Sequence, residues 1–128
     1  MSDETSAKLR YLGQLARGPI EHLECFPAPQ GCTLVRFTCD EVTSLCPVTG
    51  QPDFSTVQID YTPNLSCIES KSLKLYLWSF RDRAAFCEAL AVEIAEEVRR
   101  AAEPLHVKVC VTQSVRGGIT TEATAELP

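Results

Sequence analysis

A change of hydrophobic period along the chain constrains the fold more than any other feature of the sequence. Over residues 55–61 (STVQIDY) apolar and polar residues alternate, with Val57, Ile59 and Tyr61 on one side, and LHVKVCVTQ repeats the pattern with Val107, Val109 and Val111. Period two marks a strand with one buried face. Between these segments the period is helical. Leu73, Tyr76, Leu77 and Phe80 recur at helix spacing over 69–80, and 83–102 is rich in Ala, Glu and Arg until Pro104 stops it. Two more strands are expected, CTLVRFT over 32–38 and GITTEATAEL after an Arg-Gly-Gly turn. The order strand, strand, helix, helix, strand, strand makes an α+β domain: a four-stranded antiparallel sheet with two helices on one face. Such a sheet keeps open edges, so subunits are expected to associate through it.

At 128 residues the chain can bury a core without staples. Its 12 Lys and Arg against 17 Asp and Glu give a net charge of -5, with no basic run to follow a nucleic-acid backbone. No apolar stretch approaches the roughly 20 residues of a membrane span. The opening MSDETSAKLR lacks the apolar run of a secretory signal, so a cytoplasmic location is expected. The Pro/Gly-rich stretch over 26–31 suggests an N-terminal arm and loop over 1–30, ahead of a domain over 31–128. The seven cysteines are odd in number and include no CxxC and no Cys/His pair at ligand spacing, so no metal is expected. Most are expected to be small buried groups.

Four constellations could carry chemistry. Cys46 lies in the Pro/Gly loop of TSLCPVTGQPDF with Asp53, where a rigid turn can aim a thiol at a carboxyl that manages its proton. The plainer alternative is a buried thiol beside a turn-forming Asp. Neither His22 nor His106 offers the thiol a local base. In ESKSLKLYLWSFR, from Glu69 to Arg81, Lys71, Lys74 and Arg81 fall within roughly 80 degrees of helix arc beside the apolar stripe. That is either a solvated face or a place for an anion such as a phosphate. Arg116, Gly117 and Gly118 make either a plain hairpin turn or a backbone that approaches a ligand while the guanidinium grips a phosphate. Glu88, with Phe86 beside it, could hold a flat heterocycle that offers adjacent N–H donors, or simply face solvent. No G-x-G-x-x-G fingerprint occurs.

Taken in order, TSLCPVTGQPDF, ESKSLKLYLWSFR, FCE and RGG resemble the NADPH-dependent 7-cyano-7-deazaguanine reductases, the nitrile reductases of queuosine biosynthesis, in their single-module form. The resemblance implies the tunnelling fold (ββααββ), subunits joined sheet to sheet in a pentameric ring, one or two rings stacked, and active sites at subunit interfaces. It implies Cys46 as the nucleophile that forms a thioimide and Asp53 as the proton donor. Ile68, Glu69, Ser70, Cys87 and Glu88 are then the substrate-binding positions, and Ser70, Lys71, Arg116 and Gly117 the NADPH-binding ones. The partners implied are a small deazapurine and further copies of the chain, with no nucleic acid and no membrane. The family commonly has His where this chain has Cys87, which changes substrate capture at that position. Two other readings stay open: an amidine-forming relative that uses ammonia on the same thioimide but lacks the helix motif, and a non-catalytic deazapurine-binding or redox-responsive protein.

Overall fold

The computed structural model describes residues 18–128, so residues 1–17 of the expected arm lie outside the described residues. Four strands form the main antiparallel sheet: β2 (Val35–Leu45), β3 (Pro52–Thr62), β5 (His106–Arg116) and β6 (Ile119–Leu127), in the spatial order β2-β3-β5-β6. Two helices, α1 (Ser70–Trp78) and α2 (Cys87–Ala102), lie between β3 and β5 in sequence. The architecture is α+β with the expected element order. A small antiparallel pair, β1 (Cys25–Pro27) with β4 (Ser66–Ile68), is added to it.

Alternation decides which sheet face is buried. Val57, Ile59 and Tyr61 on β3 and Val107, Val109 and Val111 on β5 are almost fully buried, together with Leu90, Ile94, Ala95 and Val98 of α2. The opposite sheet face is polar. Arg36 holds Asp60 across the β2–β3 pair through two bonds of 2.7 and 3.1 Å, and His106 meets Glu126 at 3.0 Å. A helix-covered apolar face and a polar outer face are what period two produces when one side alone is packed.

Three boundaries differ from the sequence expectation. The first strand does not begin at Cys32. It runs from Val35 to Leu45, extended by DEVTSL, whose polar residues are tolerated because this is an edge strand with a bulge between Cys39 and Val42. The second helix starts at Cys87 rather than Arg83. Residues 83–85 are held instead by Leu45, whose N–H donates to the Arg83 carbonyl at 2.8 Å and whose carbonyl accepts from Ala85 at 3.1 Å. The first helix ends at Trp78 rather than Phe80, and Phe80 turns into the core.

The segment after residue 17 is tied to the domain. Ile20 and Leu23 are buried, and the Glu97 carboxylate of α2 accepts from the Leu23 N–H at 2.7 Å while Arg100 grips it at 2.7 and 2.6 Å. Burial pushes the Glu97 pKa up. The bonds from Arg100, Leu23 and His22 outweigh that and leave it below the ordinary carboxylate range.

Candidate active site

Cys46 follows β2, in a six-residue connection to β3 that closes on itself. The Cys46 N–H donates to the Gln51 carbonyl at 2.8 Å, and the Gly50 N–H donates back to the Cys46 carbonyl at 2.9 Å. Gly50 has φ +72°, a left-handed conformation that glycine adopts without a Cβ penalty. Because Leu45 is clamped between Arg83 and Ala85, the loop is anchored next to the segment that leads into α2. The half-buried thiol is therefore fixed at both ends of its loop.

Hydrogen bonds from the Thr49 hydroxyl, then from the backbone N–H groups of Thr49 and Val48, hold the Cys46 thiol below its ordinary pKa, against partial desolvation and the Asp53 charge. By contrast, burial pushes Cys25 up to about 11, and it also raises Cys67 and Cys87. Cys46 thus differs from these three cysteines in the direction that favours a nucleophile.

Asp53 is not in the loop, as the sequence suggested, but is the second residue of β3, paired with Ser44 and turned to the helix side. It is 9% exposed, and its Oδ1 forms an ion pair with Arg116 Nη1 at 2.8 Å. Arg116 also donates from Nη2 to the Pro52 carbonyl at 2.6 Å. Arg116 is the last residue of β5, and Gly117 and Gly118 both take positive φ to make the hairpin to β6. The hydroxyls of Ser44 and Ser55, flanking Asp53 on the same face, are buried with no hydrogen-bond partner among the described residues.

Phe86 and Glu88 stand exposed at the start of α2, beside the Leu45 clamp. Cys87 between them is turned inward, its thiol donating to the Val111 carbonyl at 3.3 Å. The structure therefore gathers Cys46, Asp53, Arg116, Gly117, Cys87 and Glu88 at one end of the sheet.

Ile68, Glu69, Ser70 and Lys71 stand elsewhere. The Ile68 N–H donates to the Tyr61 hydroxyl at 2.8 Å, at the far end of β3. Tyr61 is eight residues along the strand from Asp53, roughly 26 Å at the usual rise. Glu69 is the N-cap of α1: its two oxygens accept from the Lys71 and Ser72 N–H groups at 2.7 Å each. Ser70 is exposed and lines a groove of about 500 Å³ between α1 and β2, with Lys74, Arg81, Trp78, Leu77 and Phe37 on its walls. Thr49 and the Leu45–Ala84 bridge were missed in the sequence. Thr49 lay within the quoted motif, next to a glycine, but its role depends on how Gly50 turns the loop back.

The family model described as QueF-like protein matches residues 52–128, from the first residue of β3 onward. The chain belongs to the QueF-like family. Among its relatives, the NADPH-dependent 7-cyano-7-deazaguanine reductase of Alkalilimnicola ehrlichii is 49% identical over 110 residues, 84% of this chain and 85% of that one. The protein of the same name from Nitrosococcus oceani is 44% identical over the same shares. Among solved structures, the archaeosine synthase QueF-Like in its apo form superposes with a TM-score of 0.71 at 32% identity, covering 77% of this chain and 94% of that one. Among the described residues of this QueF-like chain no helix is long and apolar enough to cross a membrane, and no three His, Cys, Asp or Glu groups gather at metal-binding spacing.

Proposed function

We propose that this QueF-like chain reduces the nitrile of 7-cyano-7-deazaguanine to the aminomethyl group with NADPH, through a thioimide on Cys46, in the cytoplasm. The observation that carries the reading is the closed loop that fixes a donor-held thiol close enough to Asp53 for the carboxylate charge to act on it. The relatives named as reductases, at 44 to 49% identity, supply the substrate and cofactor.

The chemistry follows from the groups in place. A nitrile carbon accepts hydride poorly, whereas addition of the Cys46 sulfur converts it to a thioimide, a better acceptor. As the C–S bond forms, the thiol proton passes to Asp53 and from there to the nitrile nitrogen, so the step is balanced. Arg116 holds Asp53 in reach of that nitrogen. Glu88 accepts from the ring N–H groups, and exposed Phe86 offers an aromatic face to the heterocycle. Once the carbon has been reduced to a thiohemiaminal, the C–S bond breaks and its electron pair returns to Cys46, leaving an imine for the second reduction.

The cationic groups fit a phosphate-bearing dinucleotide. Arg116 is half exposed on a glycine turn, and Lys74 and Arg81 edge an apolar groove that includes Ser70. NADPH held by Ser70, Lys71, Arg116 and Gly117 supplies one hydride per cofactor, two for each amine formed. Ser70 and Lys71 stand at the opposite end of β3 from Cys46, so a complete site needs the α1 start of a second copy. This supports assembly through the open edges of β2 and β6 into a pentameric ring, single or stacked in pairs.

The likeness to an archaeosine synthase raises the alternative in which ammonia attacks the thioimide. Anaerobic incubation with the nitrile, NADPH and labelled ammonia separates the two. The proposal expects two NADPH oxidised per amine and no label in the product; labelled amidine without NADPH oxidation overturns it.

A further inference from the structure

We infer that Ser44 and Ser55 are positioning residues of the reaction: their hydroxyls hold Oδ2 of Asp53 while that oxygen takes the proton of Cys46 and delivers it to the nitrile nitrogen. This rests on the reading of Cys46 and Asp53 given above and adds to it the groups that aim the carboxyl.

The buried face of the sheet changes character where it reaches Asp53. On β2 the inward residues run from Val42 to Ser44, and on β3 from Val57 through Ser55 to Asp53. Valines give way to two hydroxyls. Both serines are almost fully buried, and neither hydroxyl has a hydrogen-bond partner among the described residues. An unpaired buried hydroxyl costs free energy that alanine in the same place does not, so packing fails to account for serine at either position. The register supplies a reason. Ser44 stands directly across the ladder from Asp53, where β-carbons lie about 4.5–5.5 Å apart. Ser55 is the next residue of β3 on the same face.

Asp53 needs a second hold to act in a defined direction. Its ion pair with Arg116 is made at Oδ1, and the terminal torsion of an aspartate is broad, so that contact alone does not fix where Oδ2 points. A serine hydroxyl bonded to one lone pair of Oδ2 leaves the other for the migrating proton. Ser44 is two residues before Cys46, and Leu45 between them is clamped by its backbone bonds to Arg83 and Ala85. Hydroxyl and thiol are thus set by the same short stretch of chain. The step stays balanced: the S–H bond breaks as the C–S bond forms, the proton rests on Oδ2 and passes to the nitrile nitrogen, and the hydroxyl protons stay on the serines.

The test is the rate of Cys46 adduct formation in the full chain, followed by intact mass over a range of 7-cyano-7-deazaguanine concentrations without NADPH. In Ser44→Ala the limiting rate should fall about tenfold, the size of one lost hydrogen bond to a charged group, and further in the double variant Ser44→Ala/Ser55→Ala. The half-saturating nitrile concentration should stay the same, and the urea midpoint should hold or rise, because no bonded partner is lost. In an Asp53→Asn background, adding Ser44→Ala should slow the adduct no further, since the serine acts only through the carboxyl. An unchanged limiting rate in the double variant overturns the inference. So does a fall of the same size in the Asp53→Asn background, which would make the serine a support of the loop. Two further results would defeat the underlying reading instead, whatever the serine variants show: an adduct in Cys46→Ser, or an unaltered rate in Asp53→Asn alone.

Discussion

Asp53 and Arg116 were read in the sequence as serving different ligands, one the substrate and the other the cofactor. Their 2.8 Å ion pair joins the two roles. If Arg116 met only a phosphate, its loss would leave thioimide formation intact. With the carboxylate leaning on it, Arg116→Ala should both raise the NADPH requirement, most steeply at low salt, and slow adduct formation several-fold, read by intact mass over time. Normal adduct kinetics in that variant would mean the pair is incidental. Asp53→Asn keeps the shape and cannot carry the proton, so adduct formation and reduction should fall by roughly 100- to 10,000-fold in stopped assays. Unaltered turnover would remove Asp53 from the chemistry. The pairing was illegible beforehand because it depends on register: Pro52 and Asp53 open β3 beside the end of β5, and nothing local in SVRGGIT points there. Cys46 was legible, since two prolines and a glycine surround it, but the donors on its sulfur were not.

Among elements, α1 shows how one motif can hold two roles. Glu69 was assigned to the substrate by family resemblance, yet both its oxygens cap the helix, and Ser72 behind it bonds the Glu24 backbone at 3.0 and 3.2 Å. Glu69→Ala should lower the urea midpoint by an amount equivalent to about 1 kcal/mol, as loss of a helix cap does. An unchanged midpoint would return Glu69 to a ligand role alone. The period-two strands and the 3.6-period helices were readable because their buried faces are continuous. The beginning of α2 was not, because residues 83–85 have good helix composition and the competing bridge comes from Leu45, almost forty residues earlier. The pair β1–β4 was missed for a related reason: three-residue strands are too short to show a period.

For the whole molecule, Ile68–Lys71 lie at the far end of β3 from Asp53, and the site as proposed takes the α1 start from a second copy. Two inactive variants, Cys46→Ser and Lys71→Glu, should therefore regain activity when co-assembled in equal amounts. About a quarter of the interfaces would then pair an intact Cys46 with an intact Lys71 from its neighbour. No recovery, with mixed assemblies verified by native mass spectrometry, would place both residues in a site within one chain. The α+β order was legible in the sequence because the period changes from two to 3.6 and back along the chain, and the sheet order β2-β3-β5-β6 leaves β2 and β6 as its outer strands.

The central claim is that the Cys46 sulfur bonds to the nitrile carbon before any hydride arrives. Intact-mass measurement of the anaerobic protein with 7-cyano-7-deazaguanine and no NADPH tests it most directly. The account predicts a gain of one substrate mass per chain, located on Cys46, absent in Cys46→Ser and discharged when NADPH is added. An adduct that persists in Cys46→Ser, or reduction that proceeds without one, would contradict it.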